Sequence, residues 1–201
     1  MKTCSCLNNI KIKPDEFCIQ CVHKHLASAF ALTDFIADEN DKLMPRIAAQ
    51  VCLALFHLKP KIKEYADEIN ACKWIIQKIL SRTQQIQEWV VVLKNLTASV
   101  WKNEKFQFKE QIVELTDRED LILKLSNAIE LINFEPSYEL VNISLAIGQL
   151  VLATWDFKKL GMMTEMNECR EIYVSLETKK PMTELLMLMR SRIWKQETVN
   201  S

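Results

Sequence analysis

Apolar side chains recur every three to four positions along almost the whole chain, the spacing of a helix face. Pro14, Asp15 and Glu16 read as a first helical turn, because proline needs no donor there and acids suit the positive end of the helix dipole. Phe17, Cys21, His25/Leu26, Ala29/Phe30 and Ile36 then share one face. A polar turn at residues 37–41 leads to a second helix with Pro45 near its start and Ile47, Val51, Leu55 and Leu58 on its apolar side. Pro60 is expected to open a third, carrying Ile62, Tyr65, Ile69, Cys72, Ile76 and Leu80.

The same period continues through Ile86, Trp89/Val90, Leu93, Leu96 and Val100, with no Gly or Pro between Lys61 and Lys102. One helix over that span would be a rod of ~60 Å. Ser81 followed by Gln84 resembles a capping box and favours a break there. The segment NEKFQFKE, residues 103–110, alternates weakly and reads as a loop or a short strand. Thr116 with Glu119 is a second capping box, ahead of Ile122, Leu125, Ile129 and Ile132. Pro136 opens a helix bearing Leu140, Ser144/Leu145, Gly148, Leu152 and Trp155, and Gly161 ends it. Met163, Met166, Cys169, Ile172/Tyr173 and Leu176 mark the next helix; Pro181 opens the last, with Leu185, Met189 and Ile193.

The expectation is an all-α bundle of seven or eight helices built from antiparallel hairpins, a single domain over residues 1–201 with residues 1–26 as a cysteine-rich arm and helix start. Two hairpins, His25 to Leu58 and Ser144 to Leu176, are faintly alike, too loosely to define a repeat. Composition agrees with the all-α class. Two glycines cannot supply the turns of a many-stranded sheet, and 49% apolar residues exclude a disordered chain.

Charge narrows the function classes. Lys+Arg and Asp+Glu each number 26, so the formal net charge is zero. That balance argues against a nucleic-acid binder and suits a chain held in a complex. The basic residues fall in small sets, Lys59/Lys61/Lys63, Lys179/Lys180 and Arg190/Arg192/Lys195, the last near a helix C-terminus where cations are stabilised anyway. The opening MKTCSCLNNIKIK holds no apolar stretch of signal-peptide length. The longest strongly apolar run, Trp89 to Leu93, is far short of the ~20 residues that span a bilayer. A cytoplasmic chain with reduced thiols and no membrane segment is therefore expected.

One constellation carries chemistry. Cys4-x-Cys6 and Cys18-x2-Cys21 place four of the seven cysteines in the first 21 residues, with His23 and His25 directly after. Zinc takes four such ligands in a tetrahedron, and close pairs can bite the same ion. Two ligand sets are open. One is Cys4, Cys6, Cys18 and Cys21, with His25 turned into the core; this is preferred. In the other, a helix regular from Pro14 puts Cys18, Cys21 and His25 on one face, joined by Cys4 or Cys6. Either set leaves no open position, so the zinc would be structural and would staple the polar arm to the first helix. Cys52, Cys72 and Cys169 fall on apolar faces and read as core thiols.

Signatures of catalysis are thin. There is no E-x-x-H, no Gly-rich phosphate loop and no G-x-S-x-G. His57, near a helix end, reads as a partner of the C-terminal dipole. The carboxylate pairs Glu64/Asp67, Glu114/Asp117 and Glu165/Glu168 could hold magnesium, as in all-α nucleotide-processing enzymes, but such pairs are commonplace on solvated helix faces. Met182, Leu185, Leu186, Leu188, Met189 and Trp194 spread around the last helix, as in a helix that is deeply buried or docks a partner.

The run Cys18-Ile19-Gln20-Cys21-Val22-His23-Lys24-His25-Leu26-Ala27, with a later small-residue helix ending Leu55-Phe56-His57-Leu58, resembles short uncharacterised helical proteins of tailed bacteriophages with a C-x2-C-x2-K-H-L motif. The resemblance covers roughly the first 60 residues and implies a viral origin more than an activity. The expected function is a non-enzymatic binding or assembly protein, a virion or host-interaction component, working with a protein partner or as a homo-oligomer. A magnesium-dependent nucleotide enzyme and a small zinc-containing nucleic-acid regulator are the alternatives.

Overall fold

The computed structural model describes residues 17–37, 43–133, 139–177 and 183–195. Among them the chain is all-helical, with eight α-helices and no strand. They are α1 (Ile19–Thr33), α2 (Met44–Leu58), α3 (Ala66–Leu80), α4 (Ile86–Lys102), α5 (Asp117–Asn133), α6 (Glu139–Lys159), α7 (Met163–Glu177) and α8 (Thr183–Lys195).

The helices group into two compact units, residues 1–114 and 115–201. In the first, α1 packs on α2, α2 on α3 and α3 on α4, and α4 returns to α1. The second repeats that closed ring with α5, α6, α7 and α8. The two faintly similar hairpins of the sequence are α1–α2 and α6–α7, which occupy different places in their rings.

The predicted apolar faces fill the first core. Ile47, Val51, Leu55 and Leu58 of α2 are buried with Ile69, Cys72, Ile76 and Leu80 of α3 and Trp89, Leu93, Leu96 and Val100 of α4. Fully burying each such side chain is worth about 1.5–3 kcal/mol. In the second unit Ile122, Leu125 and Ile129 of α5 meet Leu150 and Phe157 of α6, Cys169 and Ile172 of α7, and Leu186, Met189 and Ile193 of α8 within the buried core.

Helix ends follow local chemistry, with two departures from expectation, at Pro60 and Ser81. Cys18 is extended (φ −142°, ψ 100°) and caps α1, which begins at Ile19, while Pro14, Asp15 and Glu16 lie outside the described residues. Pro60 lies in a 3₁₀ turn, Lys59–Lys61, continuing from α2, and α3 starts only at Ala66, leaving Ile62 exposed. The chain does break near Ser81, but Ser81 closes α3 by donating its hydroxyl to the Gln77 carbonyl at 2.8 Å and does not cap α4. Arg82 follows with φ 51°, a left-handed residue that lets Thr83 N–H reach back to the Lys78 carbonyl. Asn103 (φ 56°) and Gly161 (φ 72°) end α4 and α6 the same way.

The Thr116/Glu119 capping box forms reciprocally: Thr116 N–H donates to the Glu119 carboxylate at 2.8 Å, and Glu119 N–H donates to the Thr116 hydroxyl at 3.3 Å. Ahead of it, residues 104–113 run as an extended strap on α3. Phe108 sets its edge on Trp74 at 5.8 Å, the Phe106 amide meets the Glu68 carboxylate, and Val113 N–H donates to the Gln77 side chain at 3.2 Å. The weak alternation of NEKFQFKE is thus a strap whose two phenylalanines are half-buried; it forms no strand.

Candidate functional site

Two regions compete for function: the cysteine-rich start of α1 and the outer face of α6. At the first, the Cys18 sulfur accepts the Cys21 amide N–H at 3.3 Å. The contact is the N-cap bond of α1, which satisfies one of the first-turn amides that lack a partner within the helix. Cys18 is buried and Cys21 half-buried.

His25 is buried against α2. Its Nδ1 donates to the Gln50 Oε1 on α2 at 2.9 Å, and its ring stacks on His57 with centroids 5.7 Å apart. Burial pushes its pKa down to about 4, reinforced by the charges of His57 and Lys24 and opposed by the Gln50 hydrogen bond. His25 thus lies in the core. Cys18 is the N-cap of α1, and Cys21 and His25 lie inside the helix. Among the described residues no three His, Cys, Asp or Glu side chains gather to hold a metal. Cys4 and Cys6 lie outside the described residues. His23 leans on Trp101 at 4.3 Å and is partly desolvated, which lowers its pKa. His57 does lie in the last turn of α2, with the His25 ring as an added partner.

The core cysteines behave as expected of inert thiols. Burial raises the pKa of Cys72, and it pushes that of Cys169 up to about 12.

One member of each carboxylate pair meets a lysine or an arginine. Glu64 pairs with Lys61 at 2.8 Å, Asp117 with Lys159 at 3.5 Å, and Glu168 with Arg192. The most buried carboxylate of the second unit is one the sequence reading missed. Asp156 on α6 is 3% exposed and accepts from Lys124 of α5. Lys124 also reaches Asp120 at 2.7 Å. Burial alone would lower its pKa, but the bonds and charges of Asp120 and Asp156 outweigh it and hold it above the usual lysine range. The only sequence signal was a single acid in an otherwise apolar stretch. The cluster ties α5 to α6 and presents no open coordination position.

The outer face of α6 is the unexpected feature. Leu145, Gly148, Leu152 and Trp155, read from the sequence as one apolar stripe, face solvent: Leu152 is 50% and Trp155 65% exposed. Ala146, Leu150, Ala153 and Phe157 fill the core instead. Residues 140–155 carry no charge at all, so the helix is apolar on both sides. Val151 widens the exposed stripe. On α8, Leu185 and Leu188 are exposed while Leu186 and Met189 are buried, so its apolar side chains also divide between core and solvent. No described helix is long and apolar enough to cross a membrane. No family model, no curated protein and no solved structure matches the chain.

Proposed function

We propose that this chain is a non-enzymatic binding and assembly protein that docks a protein partner on the outer face of α6. The carrying observation is the exposed stripe Leu145, Val151, Leu152 and Trp155 on a helix whose opposite side already fills the core. A surface helix ordinarily turns charge toward water. Here four turns offer none, and contiguous apolar surface of that kind marks an interaction site. Covering these side chains would return on the order of 1 kcal/mol each.

A structural zinc on Cys4, Cys6, Cys18 and Cys21 belongs to the same reading: it would fix the arm to α1 without supplying chemistry. Sequential packing of helices across short connections supports antiparallel hairpins within each unit. The resemblance to phage proteins supports a virion or host-interaction role.

The test is affinity capture from a lysate of the source cells, comparing the wild type with Leu152→Glu/Trp155→Glu. Both positions are exposed, so the fold tolerates the change. A protein held by the wild type and lost by the variant supports the reading. Identical captures from both contradict it.

A further inference from the structure

The geometry of α6 points to a second copy of this chain as the occupant of its outer face, and we propose that two copies pair antiparallel through α6. This rests on the docking reading above and names the partner.

The spacing is the first argument. Leu145, Gly148, Leu152 and Trp155 follow one another at three, four and three residues, the seam of a two-helix coiled contact. All four are on the solvent side of α6.

Size complementarity sets the register. A two-fold axis beside residue 150 places Leu152 of one copy over Gly148 of the other, and Trp155 over Leu145. A Cβ built at Gly148 would meet nothing within 4 Å, so the missing side chain leaves open space there. Large thus meets small at the centre, and large meets large at both ends.

Charge sets the direction. Residues 140–155 carry none, so self-pairing brings no like charges together along the seam. Antiparallel pairing opposes the two helix dipoles. Parallel pairing would stack like ends. The chain's zero net charge imposes no overall repulsion on a dimer. One helix face is small beside the ~800 Å² per partner of standard interfaces, so the dimer is weak.

Sedimentation equilibrium of the full chain from 1 to about 200 μM tests this. The wild type is expected to pass from monomer to dimer across the range. Leu152→Glu is expected to raise Kd at least tenfold with helicity unchanged. Gly148→Met is the sharper variant. It adds apolar surface in open space, so a nonspecific patch, or a parallel pair with Gly148 facing Gly148, would associate more strongly. The antiparallel register predicts at least tenfold weaker association, because the space for Leu152 is filled. A wild type monomeric throughout overturns the self-pairing, as does a Gly148→Met chain that dimerises as tightly as the wild type. The capture experiment does not depend on dimerisation, so a monomeric wild type that still retains a partner leaves the docking reading standing and refutes only this inference.

Discussion

His25 on α1 and Gln50 on α2 meet at 2.9 Å inside the first unit, ring nitrogen to amide oxygen, 25 residues apart in sequence. Burial keeps the imidazole neutral in the fold, against the opposing pull of that hydrogen bond. An unfolded chain takes up a proton near the ordinary value of 6.5, whereas the folded chain does so only near 4. The folded pKa is depressed, so the associated stability is complete above about pH 6.5 and drains away as pH falls through that window. The loss is at most about 1.4 kcal/mol per pH unit, reaching about 3 kcal/mol near the bottom. Urea denaturation of metal-free protein at intervals between pH 7 and 4 measures it. His25→Leu should flatten the difference; an equal slope in wild type and variant would refute the assignment.

Asp156 and Lys124 make the corresponding contact in the second unit. Asp156→Ala leaves a largely buried lysine with only Asp120 and should cost about 2 kcal/mol. Asp120→Ala, at the solvent end of the cluster, should cost under about 0.5 kcal/mol. Chemical denaturation of both variants checks the ranking, and equal costs would contradict it.

Much of this fold was legible in the spacing of apolar residues, and the misses have physical causes. Trp89, Leu93, Leu96 and Val100 recur at helical spacing among Lys94, Asn95, Thr97 and Ser99, so one face of α4 was marked for burial, and those four are its buried residues. α6 has no polar face, so its periodicity could not say which side was inside. The side with the larger residues, Leu152 and Trp155, was the natural choice and is the exposed one, because small Ala146 and Ala153 let neighbouring helices approach closely. Ser81 was read as opening a helix when it closes one; hydroxyls bond backbone groups at either end, and the sequence carries no sign of which. At the cysteine-rich arm, Cys-x2-Cys was visible, but the extended Cys18 that carries its sulfur to the Cys21 amide was not.

The zinc reading makes a compositional prediction. Elemental analysis of purified protein should find about one zinc per chain, lost in Cys18→Ser and retained in His25→Leu, because His25 belongs to the core. Metal lost in both variants would favour the histidine-containing set, and no metal in the wild type would remove the site.

The claim that most depends on the structure is that Trp155 stands in water while Trp89 is sealed in a core. Hydroxyl-radical footprinting of the dilute chain, read by mass spectrometry, measures both at once. Fast oxidation of Trp155 and Leu152, near-complete protection of Trp89 and Phe157, and loss of the Trp155 signal when a partner or a second copy is bound are the predicted results. Protection of Trp155 equal to that of Trp89 in the dilute chain would contradict the account, because no apolar face would then be open to dock anything.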